Sequence, residues 1–153
     1  MPAATPAGQF TAFLSKYEPA LRRDARASLA RLRRHLPGAV ELVYDNYNAL
    51  VVGFGPSERA SEAIVSLAFF PRWVTLCFLQ YGPRLTDPQR MLRGSGSVVR
   101  NVRLAGPAAI DSPGVRALIK AAHRLANRQI DPGARCRMVI KSISAKQRPR
   151  RPV

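Results

Sequence analysis

The chain has 153 residues and is 46% hydrophobic, the size of one domain and enough to bury a core. It contains no run of 18 apolar residues, which excludes a transmembrane helix, and its opening MPAATPAGQF lacks the basic-then-apolar pattern of a secretory signal, so a cytoplasmic protein without membrane contact is expected. Twenty-five Lys and Arg against nine acids give a net charge of +16, with Arg supplying 21 of the 25; this favours polyanion contact, although an arginine-biased composition with a solvated surface gives the same charge.

Residues 1–8 are small and Pro-rich and are expected to form a flexible lead. Phe10, Phe13, Leu14 and Tyr17 follow at the i, i+3, i+4, i+7 spacing of a short amphipathic helix over 9–17. Pro19 opens a second helix with Leu21, Ala25, Leu29, Leu32 and Leu36 on one side and Arg22, Arg26 and Arg33 along its flank; Pro37-Gly38 ends it. The period then changes to two. Val40 to Asp45 puts Glu41, Val43 and Asp45 on one face and Val40, Leu42 and Tyr44 on the other. Ala49 to Phe54 pairs with it as a hairpin, and Ala63 to Phe70 and Trp73 to Leu79 make two further strands. These last two are apolar on both faces and need two covers: helices on one side, and on the other a curled sheet edge, a second subunit or a ligand.

The stretch from Leu79 to Leu104 is the most distinctive. Thr86 is a candidate cap for a short turn at 87–92, and the small-residue loop Gly94-Ser95-Gly96-Ser97 leads into a strand over 98–104. Ser112 and Pro113 then start a helix striped by Val115, Leu118, Ile119, Ala122 and Leu125. Arg135 to Lys141 alternates as a last strand, with Cys136, Met138 and Ile140 inward. Residues 143–153 form a basic Pro/Arg tail, expected to be extended and mobile, after a single domain over 9–142. Runs of strands flanked by helices argue an α+β, two-layer sandwich: an antiparallel sheet of five or six strands with the terminal helices on one face.

No catalytic constellation emerges, and the chain is read as non-enzymatic. Val99 and Glu58 stand where the dinucleotide fingerprint needs its third glycine, and neither glycine loop is followed by the lysine of a phosphate-binding loop. His35 and His123 have no adjacent nucleophile, and no His, Cys, Asp or Glu spacing suits a metal. Cys77 and Cys136, the only cysteines, both read as reduced core residues. Glu41 and Asp45 share a strand face about 13 Å apart, too far for a dyad. If Glu41 faces the helices it must be paired; if it faces the open side it can pair with Arg100.

Several segments resemble the YdhG-like family, a bacterial domain of unknown function. They are Phe13-Leu14-Ser15-Lys16-Tyr17, Glu41-Leu42-Val43-Tyr44-Asp45, Leu85-Thr86-Asp87-Pro88, Leu92-Arg93-Gly94-Ser95-Gly96 with Val99-Arg100, and the ending from Ile140 to Arg151. The resemblance implies a frataxin-like helix-and-sheet architecture, and some relatives are linked to iron delivery. Ser97 stands where that family's loop often carries lysine, and nine scattered acids are a poor source of the clustered oxygen ligands iron prefers.

Three functions follow. The first is a binding or interaction module, monomeric or homodimeric, that holds an anionic ligand or partner. Its candidate residues are Glu41, Tyr44, Asp45, Trp73 and Thr75 on the sheet with Arg93, Gly94, Ser95, Gly96 and Arg100 around the loop. The alternative is nucleic-acid binding through Arg22, Arg26 and Arg33 with Lys146, Arg148, Arg150 and Arg151 of the tail. The third is iron delivery through carboxylates near Glu41 and Asp45, with no resident cofactor expected.

Overall fold

A computed structural model describes residues 4–153. In chain order the elements are α1 (Pro6–Leu14), α2 (Pro19–His35), β1 (Val40–Asp45), β2 (Leu50–Gly55), β3 (Val65–Phe69), β4 (Val74–Phe78), β5 (Arg100–Leu104), α3 (Pro113–Leu125) and β6 (Arg137–Ile143). The strands form one sheet in the order β5-β4-β3-β2-β1-β6, and the three helices share one buried core with it, which makes an α+β two-layer sandwich.

The core follows from alternation. Rows of facing residues cross the sheet: Leu50, Phe69, Val74 and Leu104 form one, and Val52, Leu67, Leu76 and Val102 the next. These side chains meet the stripes of α1 (Phe10, Phe13, Leu14), α2 (Leu21, Ala25, Leu29, Leu32) and α3 (Val115, Leu118, Ile119, Ala122) in one cluster. Each fully buried large apolar side chain there contributes about 1.5–3 kcal/mol relative to exposure. Tyr17, completely buried, lies past the end of α1. Its hydroxyl donates to the Phe69 carbonyl at 2.5 Å and accepts from the Leu50 amide at 3.2 Å, closing the end of the β2–β3 ladder. Burial pushes its phenol above the usual range.

The sheet is not wholly antiparallel. β6 runs parallel to β1, with a register shift between Val43 and Tyr44. The chain reaches β6 from the opposite edge, through α3, so it arrives by a crossover and not a hairpin. Alternation fixes which face a side chain takes, not the direction of its strand.

Other expectations change at the element ends. Residues 1–3 of the expected lead lie outside the described residues, while Pro6 to Gly8 form the first turn of α1, capped by Thr5 Oγ1 at 3.0 Å from the Gly8 amide. Asp87, not Thr86, caps its turn, accepting from the amides of Met91 (2.9 Å) and Leu92 (2.8 Å). The Ser112 hydroxyl donates to the Ala109 carbonyl instead of capping α3. β6 begins at Arg137, two residues later than expected, and Cys136 lies exposed just before it, while Cys77 lies partly buried on the sheet face away from the helices, where burial raises its thiol pKa. Gly38 ends α2 at φ +83°, where a Cβ would lie 1.9 Å from the Asp131 carbonyl oxygen, so only glycine fits. Over the open face, the 56–63 loop folds back against β2: a Cβ at Gly53 would sit 3.6 Å from the Ala63 Cβ and 3.9 Å from the Leu42 Cβ. That loop supplies part of the second cover within the chain itself.

Candidate functional site

Glu41 and Asp45 both point to the helix side of β1 and both are buried. Glu41 is gripped by Arg33 of α2 in a two-pronged pair, Nε to Oε2 at 2.7 Å and Nη2 to Oε1 at 2.9 Å. That bond raises the Arg33 pKa further. The alternative pairing with Arg100 is corrected. β5 lies four strands from β1, about 19 Å away.

Asp45 is held by the tail. Arg150 Nη2 donates to Asp45 Oδ1 at 3.0 Å and to the Asn46 carbonyl at 2.5 Å, and Nη1 reaches the Tyr47 carbonyl at 3.3 Å. The side chains of Arg150 and Asp45 are 2% and 1% exposed, and Lys16 adds a contact to Asp45 Oδ2 at 3.4 Å. The tail's backbone follows: the Ser144 amide donates to the Asp45 carbonyl and the Arg148 amide to the Tyr47 carbonyl, each at 2.9 Å. The expected free tail is therefore docked along the β1–β2 turn, because a buried carboxylate there needs a cation. Arg150 is corrected from a nucleic-acid contact to an internal anchor.

Docking makes a groove of about 780 Å³ between the tail and the β3–β4 turn, lined by Asn48, Phe70, Arg72, Trp73, Arg148 and Arg151 among others. No acid lines it. Phe70 and Trp73 stack with centroids 5.3 Å apart, and the Arg103 guanidinium covers Trp73 at 3.9 Å. Arg148 lies over Tyr47 at 5.6 Å, and Arg151 reaches the Lys16 carbonyl at 3.2 Å and Glu18 at 3.4 Å. Sharing Asn48 and Phe70 with this groove is a notch of about 460 Å³ on the open face, floored by Val51 and Ala68 and walled by Tyr47 and Phe70.

The other candidates separate. Tyr44 faces the open side in a row that runs through Val51, Ala68 and Thr75 to Arg103, about 14 Å from Thr75 across the sheet; partial burial raises its phenol pKa. The loop Gly94-Ser95-Gly96 and Arg93 are exposed at the far end of β4 from Trp73, about 17 Å away by strand rise. Arg100 donates to the carbonyls of Gly96 (2.5 Å) and Val99 (2.9 Å), so its guanidinium braces its own loop. A Cβ at Gly82 would lie 2.7 Å from the Val98 carbonyl oxygen and 2.8 Å from the Arg100 amide, which shows how closely this segment is held. The expected grouping of the loop with Trp73 and Tyr44 is thus corrected: they do not form one site.

The arginines of α2 also carry internal bonds. Arg22 donates to the Tyr17 carbonyl (2.9 Å) and Arg26 to Thr11 Oγ1 (2.9 Å), tying α2 to α1, and Arg33 holds Glu41. Lys146 and Arg148 remain exposed on the tail.

Sequence reasoning missed Phe70 and Arg72 as groove residues. The Phe70-Pro71-Arg72-Trp73 turn was visible, but its apposition to residues 148–153 was not. Among the described residues no three His, Cys, Asp or Glu gather as a metal site, and the two carboxylates offered for iron are each already paired with arginine. His35 Nε2 lies 2.7 Å from Asp111 Oδ1, and Arg31 pairs with Oδ2. These contacts, His35 first, hold the Asp111 pKa below the usual carboxylate range. No helix among the described residues is long and apolar enough to cross a membrane. No family model, curated protein or solved structure matches the chain.

Proposed function

We propose that the chain is a non-enzymatic binding module, akin to the YdhG-like family, that holds an anionic ligand in the groove between the docked tail and the β3–β4 turn. The observation that carries this is the groove's lining: Arg72 and Arg148, with Arg151 beside them, around stacked aromatics, and no Asp or Glu side chain among the lining residues. Arg72 and Arg148 are exposed, and among the described residues neither is bound to an acid. Guanidiniums grouped in this way suit phosphate or carboxylate oxygens, which they can bind by two parallel donors. The motifs at 85–88 and 92–96 and the α+β sandwich support the kinship. The carboxylates of β1 serve the fold, which leaves iron delivery without its oxygen ligands there.

Trp73 is the single tryptophan and lines the groove, so its emission reports occupancy. Titration with inorganic tripolyphosphate is expected to change that emission, and Arg72→Ala with Arg148→Ala to weaken binding about tenfold or more. Arg93→Ala, at the distant loop, is expected to leave it unchanged. Loss of binding with Arg93→Ala alone would return the site to the Gly-Ser loop.

A further inference from the structure

The basic groove shares Asn48 and Phe70 with a second cavity of different chemistry. The notch on the open face has an apolar floor of Val51 and Ala68, with Phe70 on one side and Tyr47 on the other. Ala68 and the neighbouring Ala49 keep it clear of bulk. Asn46 and Asn48 line it as well, and among the described residues neither side-chain amide has a hydrogen-bond partner within the protein. An amide offers both donors and an acceptor, so these two can serve the polar edge of a heterocycle. Phe70 gives one ring face to Trp73 and lines both cavities, so the two spaces meet at its ring. Tyr47 is 49% exposed, an unusual surplus of aromatic surface beside a cation.

We infer that the ligand is a nucleotide unit, with its base between Phe70 and Tyr47 over Ala68 and its phosphate among Arg72, Arg148 and Arg151. This rests on the anion-binding reading of the groove and adds the planar half of the ligand. A simple anion has no use for the notch, whereas a base gains stacking area and amide contacts there while its phosphate stays with the arginines. Duplex bases are stacked on both faces and paired along their edges and cannot enter, so the unit comes from a free nucleotide or from a single strand. The cations belong to the tail and the β3–β4 turn, not to the α2 flank.

The test compares three probes by Trp73 emission at physiological salt: a thymidine hexanucleotide, the same hexamer lacking its bases, and thymidine triphosphate. The hexanucleotide is expected to bind about tenfold or more tighter than its abasic copy. That advantage shrinks in Asn46→Ala, a change at an exposed position that lines the notch and not the groove, and in Ala68→Leu, which fills the floor, while the abasic hexamer's affinity stays constant in both. With three phosphates neutralised, log affinity falls against log salt with a slope of about −2. Where the normal hexamer outbinds the abasic one, which supports the inference, triphosphate binding as tightly as the hexanucleotide identifies a free nucleotide, and much weaker binding identifies a strand. Equal affinity for the normal and abasic hexamers overturns the base site and leaves the anion groove standing. Failure of all three probes overturns both.

Discussion

At one end of β1, Glu41 is held by Arg33, eight residues earlier on α2; at the other, Asp45 is held by Arg150, 105 residues later in the tail. The two acids share a strand and a face, but their cations differ in exposure. Arg33 keeps 43% of its side chain exposed, whereas Arg150 keeps 2%. Arg33 can lean into solvent if its partner is lost. Arg150 cannot, and its Nε is already without a partner among the described residues. The near pair fastens a helix to the sheet. The far pair fastens a segment with no regular structure, and with it one wall of the groove.

Removing the far cation tests this most severely. Arg150→Met is expected to cost about 3–5 kcal/mol in urea unfolding, nearer the lower figure because Lys16 stays close to Asp45. Adding Asp45→Asn to it is expected to restore much of the loss, since the buried charge is then gone; a simple sum of the two single effects would break the comparison. Tyr17→Phe sharpens it at the same end of the sheet. It leaves the Leu50 amide without its acceptor and is expected to cost about 1–3 kcal/mol. Arg33→Met at the near end is expected to cost less, about 1–2 kcal/mol after allowance for solvent screening, and to leave tripolyphosphate binding intact. Asp111 gives the smallest effect. Its pKa is lowered in the folded state, so its contribution is fully present above about pH 4 and is lost as pH falls through the depressed value. Asp111→Asn should lower the melting temperature slightly at neutral pH and match the parent at the acid end.

The near pair was half legible and the far one was not. Glu41 needs a partner once its face of β1 meets the helices, and the arginine stripe of α2 is visible from spacing alone, but alternation does not say which face of β1 is covered. Arg150 reads like any member of a basic tail, because nothing local to 143–153 records that Asp45 needs a cation. The same limit explains β6. Met138 and Ile140 face the core as their alternation requires, yet the parallel pairing with β1 is set by the path of α3 across the sheet. Helix starts at Pro19 and Pro113 and the span of β1 were legible because their signals are local. The groove was not, since it exists only where residues 148–153 meet the turn at 70–73.

The late arrival of β6 also has a consequence for synthesis. Until residue 137 has been made, β1 is an open edge with unpaired amides and carbonyls, and Asp45 waits longer still for its cation. At about 5–20 residues per second this interval lasts on the order of 5–20 s. An uncovered edge over that time is a template for pairing with another nascent chain. The finished sheet closes the exposure with strands that resist such pairing: β6 carries Arg137 and Lys141 and β5 carries Arg100 and Arg103. Part of the chain's positive charge thus lies where one copy would otherwise add to the next.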